Sequence, residues 1–284
     1  MEALPAAQAP GGQVVPICVA ALPMYDFPEL RAAHDRFWAA LACRLRESDI
    51  AGVPRQLMRR LTCREVWRHP GLLFGQACEY PVSKSFRGHL RILATPRYRA
   101  PGCDKNTYRS AIVVRVEEPA NALHELHERR CVVNEPDSNS GMNLLRAALA
   151  PLAGGVRFFH SVSFSGSHLR SVELIAAGEA DVAAIDCVTL EHLRRARPQL
   201  ISQVRILDWT PSSPCLPFVI SRRMSEATVA VVRSALNAVC ADPALAPVRD
   251  TLLLDGVDLL PDTTFGRVLE LEQRAERWRY PALL

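Results

Sequence analysis

The chain of 284 residues is long enough for one large domain or two small ones. Its hydrophobic content of 49% is ordinary for a globular protein, and the formal net charge of +4 is spread along the sequence. Basic residues form only short, interrupted clusters without interleaved aromatic side chains, so we expect no nucleic-acid binding.

The N-terminal segment carries no targeting signal in its composition. Residues 1–12 are rich in Ala, Pro and Gly and are expected to form a disordered tail. Met1 to Gln13 contains no Lys or Arg and no continuous apolar stretch, so no secretory signal is expected. We therefore expect a cytoplasmic location, or a periplasmic one if a leader has been removed. No apolar run reaches the ~18 residues of a membrane span, so membrane insertion is not expected.

Cysteines are numerous but show no motif. The nine cysteines are scattered singly, and no C-x-x-C pair occurs. The sequence therefore predicts neither a zinc knuckle nor a redox motif. Several lie within apolar runs, where a cysteine behaves as a small buried hydrophobic residue, and a reducing compartment fits this pattern best.

Hydrophobic periodicity predicts alternating strands and helices along the whole chain. In the first part the predicted strands are 14–22, 55–61 (the most ambiguous), 72–77, 90–94, 108–116 and 130–134. The helices interleaved with these strands are 28–47, 64–67 and 120–126. In the second part the predicted strands are 156–164, 180–186 and 204–209. The remaining predicted helices are 140–152, 167–177, 190–196, 225–240, 244–254 and 265–276.

This alternation is typical of an α/β protein with mixed, mostly parallel sheets. The middle block has a complete set of elements of its own. We therefore predict two lobes, lobe 1 from residues 13–110 plus 217–284 and lobe 2 from residues 111–216. The chain would cross between them near Ser110 and again near Leu216.

One polar stretch, Asn134 to Asn143, reads as a strand end, a turn and a helix start. Ser138, Asn139 and Ser140 lie where the first helical turn has unpaired N–H groups. Gly141 allows the backbone to approach another group closely. Such a helix start is suited to binding an anion, because its N–H groups and dipole favour negative charge. The alternative interpretation is ordinary N-capping.

Three segments together resemble a known family. They are Tyr108–Val114, the loop Asn134–Gly141 with its Ser-x-Ser-Gly run, and Ser167–Asp186 with a His at its helix start and a Gly at its helix end. In combination they resemble the phosphonate/phosphate-type substrate-binding proteins of ABC transporters, over residues 70–240. The resemblance implies a type II periplasmic-binding fold, a small anionic ligand held between the lobes, an ABC permease as partner, no cofactor, and a monomer or dimer.

The same resemblance assigns candidate ligand contacts. Ser138, Asn139, Ser140 and the Gly141 N–H would cradle an oxyanion, with His168 across from them at a second helix start. Asp186 would face the ligand from a strand end. The remaining implied contacts are Tyr108 and Ser110 at the first crossing and, in the N-terminal lobe, Tyr25, Gln76 and Tyr80.

Several of these residues also have purely structural interpretations. His168 could act as a plain cap partner, and Asp186 could cap the helix that begins near Thr189. Tyrosines in strands, such as Tyr80 and Tyr108, are often half-buried core residues. Cys187 could be a nucleophile with His168 as base, but nothing in the sequence indicates an electropositive, partly exposed site. The histidines near residue 125 are expected on a solvated helix face, so no metal site is expected.

Three functions remain open from the sequence. The first is a receptor that closes around a phosphate- or phosphonate-like anion, and we take it as the leading hypothesis. The second is a cytoplasmic enzyme on the same fold, a dehydratase or lyase of biosynthesis, with His168 or Asp186 as general base. The third is a ligand sensor that signals to a partner protein. An adjacent permease and ATPase gene pair favours the first, and a biosynthetic operon favours the second.

Overall fold

The computed structural model describes residues 18–283, except for the side chains of residues 262 and 263. The chain folds into two compact units, each assembled from segments that are distant in the sequence. Within the described residues, unit 1 comprises 18–77, 85–96 and 216–259, and unit 2 comprises 78–84, 97–215 and 260–283. The tail predicted to be disordered, residues 1–12, lies outside the described residues.

Strands and helices alternate through most of this part of the chain. Its strands are β1 (Val19–Ala21), β2 (Leu72–Gln76), β3 (Leu90–Tyr98), β4 (Thr107–Tyr108), β5 (Ser110–Arg115), β6 (Arg130–Val133), β7 (Ser161–Phe164), β8 (Val182–Asp186), β9 (Val204–Trp209), β10 (Ser213–Pro214), β11 (Phe218–Ser221) and β12 (Leu254–Asp258). Its α-helices are α1 (Arg31–Glu47), α2 (Cys63–Arg68), α3 (Glu79–Ser83), α4 (Leu144–Ala153), α5 (His168–Ala176), α6 (Cys187–Ala196), α7 (Pro198–Ile201), α8 (Glu226–Ala241), α9 (Ala246–Thr251) and α10 (Gly266–Arg277).

Unit 1 is a five-stranded sheet covered by helices. The strand order is β1-β2-β11-β3-β12, with β1 parallel to β2 and β11 antiparallel to both of its neighbours. Helices α1, α8 and α9 pack together in this unit. Stacked aromatic rings lie in its core, where Phe74 is 5.1 Å from Phe218 and 6.0 Å from Trp38 between ring centroids. Their burial supplies the hydrophobic stabilisation that holds helix to sheet.

Unit 2 contains the second five-stranded sheet, in the order β7-β6-β8-β5-β9. Strand β6 is parallel to β7 and β8, whereas β5 is antiparallel to β8 and β9. The sheets are therefore mixed, as expected. They contain more antiparallel strand pairs than the alternation of strands and helices in the sequence indicated. The parallel strands β7, β6 and β8 end at the same edge of the sheet, and each is followed by a helix. This edge positions the candidate site.

Several features depart from the sequence-based expectations. Residues 55–61 do not form the predicted strand, and β12 begins at Leu254, where the predicted helix 244–254 ends. Helix α10 belongs to unit 2, whereas the prediction grouped residues 217–284 in lobe 1. The reason is packing: α10 buries Val268, Leu271 and Ala275 and lies against α3 and α4. Residues 78–84 and 97–110, predicted for lobe 1, also belong to unit 2.

Within residues 18–283, no single helix combines the length and the apolar character that crossing a membrane requires. The pair Glu226–Ala241 and Pro243–Thr251, bent by 70°, has that length and composition when its two helices are taken together.

Candidate functional site

The candidate site lies at the edge of the unit 2 sheet where the three parallel strands end. After β6 the chain reaches α4 through Ser138, after β7 it reaches α5 at His168, and after β8 it enters α6 directly from Asp186. Ligands of open α/β sheets bind outside the carboxyl ends of the strands. The starts of helices also carry positive partial charge from their unpaired N–H groups. The edge therefore favours a negatively charged ligand.

The helix start after β6 is a single π-helical turn, Asn139–Asn143, which continues into α4. Ser138 is its N-cap, and the Ser138 Oγ accepts a hydrogen bond of 3.0 Å from the Gly141 N–H. The same Oγ lies 3.3 Å from the Ser140 Oγ. Ser138 therefore has the capping role that was the structural alternative, and it also brings two hydroxyl groups together. π-Helical turns occur frequently at functional sites.

Gly141 is required by a close approach of side chain to backbone. A Cβ atom at this position would lie 1.8 Å from the Asn134 Oδ1 and 3.4 Å from the His168 Cε1. The Asn134 Oδ1 is buried and has no hydrogen-bond partner among the described residues. Gly141 therefore allows the loop to fold against both side chains, whereas the predicted approach of its backbone to an anion stays a prediction.

His168 links the second helix start to the first. It is the first residue of α5, and its Nε2 shares a hydrogen bond of 2.8 Å with the Ser140 Oγ. Burial lowers the pKa of His168 from 6.5 to about 4, so the imidazole is neutral at pH 7. Its Nδ1 is buried and has no hydrogen-bond partner in the described part of the chain. Nδ1 is therefore available to a ligand, as a hydrogen-bond donor or as an acceptor according to the tautomer of the imidazole.

Asp186 ends β8 and caps the third helix start. Its Oδ1 accepts a hydrogen bond of 2.8 Å from the Thr189 N–H, and only 2% of the residue is exposed. This is the capping role weighed from the sequence. Ser110 lies opposite Asp186 in the antiparallel register of β5 and β8. The Ser110 Oγ is buried and is also without a hydrogen-bond partner among residues 18–283.

Asn139 is the centre of a buried polar network behind the two serines. Its Nδ2 donates to the Tyr108 OH at 3.2 Å and to the Ser213 Oγ at 2.9 Å, while its Oδ1 accepts from the Asn143 Nδ2 at 3.0 Å. The backbone N–H of Asn139 donates to the Cys78 Sγ at 3.3 Å. These bonds fix the π-helical turn against β4 and β10, so Asn139 and Tyr108 act as supports of the turn in this structure.

Three further predicted contacts, two tyrosines and a glutamine, are buried side chains. Tyr80, in unit 2, is buried; its hydroxyl donates to the Glu272 carboxylate and accepts from the Lys84 Nζ at 3.0 Å. Gln76 and Tyr25 are buried in unit 1. The Gln76 Nε2 donates to the Leu216 carbonyl at 3.1 Å. Their roles as ligand contacts remain predictions.

Glu79 is a site neighbour that sequence reasoning missed. It is the first residue of α3 and is completely buried, and neither carboxyl oxygen has a hydrogen-bond partner among the described residues. Burial is the largest effect and raises the pKa of Glu79 well above 4.5, and the nearby Asp186 carboxylate adds to the rise. The burial of Glu79 is hard to predict from the sequence, because a Glu at a helix start usually faces solvent.

The burial of Glu79 predicts a pH-dependent stability. Its folded-state pKa is raised, so the stability present below pH ~4.5 is lost as the pH rises and the buried carboxyl is driven to ionise. We expect Glu79→Gln to be more stable than the parent by about 1–3 kcal/mol near pH 8. The difference should shrink near pH 5, as measured by urea unfolding at both pH values. Exposed Glu117→Gln is the control; an equal gain in both variants would contradict the assignment.

The groups at this edge that can bind an anion are uncharged hydrogen-bond donors. The Ser138 hydroxyl, the N–H groups of two helix starts and either Ser140 or the neutral His168 can donate hydrogen bonds to an oxyanion, and such bonds to a charged group are the stronger kind. Among residues 18–283, no cluster of three or more His, Cys, Asp or Glu side chains could hold a metal ion.

Solved structures of other proteins have the same fold. A binding-protein component of an ABC phosphonate transporter from Pseudomonas aeruginosa matches with a TM-score of 0.73 and 15% identity, over 93% of this chain and 87% of its own. PhnD1 from Prochlorococcus marinus, in complex with methylphosphonate, matches with a TM-score of 0.72 and 15% identity, over 93% of this chain and 100% of its own. A Xanthomonas citri protein bound to ATP matches with a TM-score of 0.68 and 18% identity, over 93% and 98%.

At these identities the likenesses show a shared fold, and they confirm the predicted type II periplasmic-binding fold with mixed sheets. No curated protein sequence matches the chain. The family model of the periplasmic substrate-binding proteins of phosphonate ABC transporters matches residues 78–263, which is more than half of the chain. That match spans the helix starts at Ser138, His168 and Asp186. The chain therefore belongs to the family of phosphonate ABC transporter substrate-binding proteins.

Proposed function

We propose that this protein is a solute receptor that binds a small phosphonate- or phosphate-like anion at the two helix starts of unit 2 marked by Ser138 and His168. The anion's oxygens would accept hydrogen bonds from the Ser138 and Ser140 hydroxyls, while the His168 Nε2–H donates to the Ser140 Oγ and so directs the Ser140 proton to the anion. The observation that carries this proposal is the 2.8 Å bond between the Ser140 Oγ and the His168 Nε2, which joins two helix starts. Two positive dipole ends directed at one point favour an anion there.

The neutral state of His168 supports a receptor that recognises its ligand by hydrogen bonds. With a pKa of about 4, the imidazole carries no charge at pH 7. Phosphonate oxygens present several lone pairs and accept several such bonds at once. A low-dielectric site makes each bond stronger than it is in water.

The partner implied by this function is an ABC permease, to which the loaded receptor delivers its ligand. The family is periplasmic. The cytoplasmic location expected from the composition of residues 1–13 stays a prediction, because that stretch lies outside the described residues. Growth on a phosphonate as sole phosphorus source, in cells with and without the gene, would test the link to uptake.

A ligand panel tests the proposed binding. The purified protein is heated with methylphosphonate, aminoalkyl phosphonates, phosphate, ATP and a set of carboxylates, and its melting temperature is recorded. A ligand that binds the folded state at 100 times its dissociation constant adds about 2.7 kcal/mol, equivalent to several degrees. We expect shifts with phosphonates or phosphate and no turnover when the same mixtures are followed by phosphorus NMR.

Two outcomes would contradict the proposal. A shift with carboxylates alone, and none with any phosphoryl compound, would remove the phosphonate-like ligand class. Conversion of a bound phosphoryl compound to product would identify an enzyme on the same fold, and His168→Ala would then abolish turnover.

A further inference from the structure

A cluster of three thiols in unit 2 takes no part in the anion site. The Cys103 Sγ lies 3.5 Å from the Cys187 Sγ, and the Cys215 thiol is also within hydrogen-bonding reach of Cys103. Cys187 and Cys215 are each only 1% exposed, whereas Cys103 is partly exposed. The three cysteines lie far apart in the sequence, so no cysteine motif in the sequence indicates the cluster.

Backbone contacts at both Cys187 and Gly102 keep the two sulfurs close together. Cys187 is the first residue of α6, and its N–H donates to the Arg109 carbonyl at 3.3 Å. On the other side, Gly102 has a φ of +99°, and a Cβ there would lie 3.0 Å from the Cys187 Cβ. Only a glycine gives the loop this conformation and this close approach. Cys103 follows immediately, so its thiol is fixed against Cys187.

The surroundings make Cys103 the reactive thiol of the cluster. Hydrogen bonds from the Cys187 and Cys215 thiols favour the thiolate and lower the pKa of Cys103. The pKa of Cys187 is raised, because Cys187 donates to Cys103 and is buried. A partly exposed thiolate is the form that attacks an oxidant, and a neighbouring thiol can then resolve the product.

We propose that Cys103 and Cys187 form a reversible disulfide, with a small-molecule disulfide as the oxidant. The Cys103 thiolate attacks one sulfur of the oxidant, forms a mixed disulfide and releases one small thiolate. The Cys187 thiol then loses its proton, and its sulfur attacks the Cys103 sulfur and releases the second small thiolate. The Cys103 thiolate and the Cys187 thiol are thereby oxidised, and the oxidant is reduced to one small thiolate and one small thiol, which takes up the proton of Cys187.

The bond requires a sulfur movement of about 1.5 Å, from 3.5 Å to the ~2.05 Å of a disulfide, which side-chain rotation can supply. It would tie the loop after β3 to the start of α6, the helix that Asp186 caps. Because the two cysteines are 84 positions apart, the cross-link closes a long loop and constrains the unfolded chain strongly.

The test uses the full chain, first reduced and then equilibrated with oxidised glutathione. Free thiols are alkylated, and peptide mapping by mass spectrometry locates any cross-link. We expect a Cys103–Cys187 disulfide that dithiothreitol reverses, and an increase of about 5–10 °C in melting temperature on oxidation. Cys43→Ser, at an exposed thiol outside the cluster, should behave like the parent.

Mapping of the parent protein decides the proposal even if a variant does not fold. Cys103→Ser and Cys187→Ser should each lose the cross-link and the oxidation-dependent rise in melting temperature. A parent protein whose Cys103 and Cys187 both remain alkylatable after oxidation, or whose Cys103 is linked only to Cys215, would overturn the proposal.

Discussion

Replacing both Ser138 and Ser140 by Ala is expected to weaken phosphonate binding by about 100- to 10,000-fold. Each hydroxyl would lose one charge-assisted hydrogen bond to the anion, worth about 1.5–3 kcal/mol, and every 1.4 kcal/mol is tenfold in affinity. The single variants separate two effects. Besides that bond, Ser138→Ala removes the cap on the Gly141 N–H, whereas Ser140→Ala removes the partner of His168. Calorimetric titration with methylphosphonate measures all three.

The control for this double variant is a cap in unit 1. The Ser225 Oγ accepts from the Thr228 N–H at 3.1 Å and caps α8 in the same way as Ser138 caps its turn. Ser225→Ala should lose about 1 kcal/mol of stability, as a cap does, and keep the parent's affinity. Equal affinity in the double variant and the parent would remove the two serines from the binding site.

Gly141→Ala is expected to damage both stability and binding. The added methyl group would lie 1.8 Å from the Asn134 Oδ1, so either Asn134 or the π-helical turn must move. Overpacking of this kind costs about 1–3 kcal/mol, measurable by urea unfolding. Displacement of the turn also displaces Ser138 and Ser140, so we expect the affinity to fall by more than about 100-fold, since small misplacements of positioned groups are costly.

Gly266→Ala provides the matched control for that substitution. Gly266 also lies in unit 2 at the start of a helix, but no atom lies within 4 Å of the position of an added Cβ. Alanine is the better helix former, so this variant should be as stable as the parent or more stable. If both glycine variants lost binding equally, the close approach at Asn134 would not be the cause.

The sequence was informative wherever the signal is local. The Ser-x-Ser-Gly run after a predicted strand indicated a helix start, and the structure has one at Ser138. The Asp186 cap was also anticipated, because it depends on Thr189 only three positions away. The fold class followed from the order of strands and helices together with the family resemblance.

The sequence did not predict the features that depend on contacts between residues distant in the chain. Nothing in its spacing brings Cys103 to Cys187, because a loop and a helix start meet there only in the folded unit. Glu79 looked like an ordinary acidic residue in a first helical turn, yet its carboxyl is buried near Asp186. Helix α10 was grouped with its neighbours in the chain, although its apolar face packs in unit 2. Tertiary packing decides all three cases.

The most direct test of the proposed function is a calorimetric titration of the parent protein with methylphosphonate, alongside Ser140→Ala. We predict one site per chain with a dissociation constant in the micromolar range or below, and affinity weaker by at least tenfold in Ser140→Ala, which corresponds to about 1.4 kcal/mol. Absence of binding to the parent, or identical affinity in the two proteins, would contradict an anion site joined by the bond between Ser140 and His168.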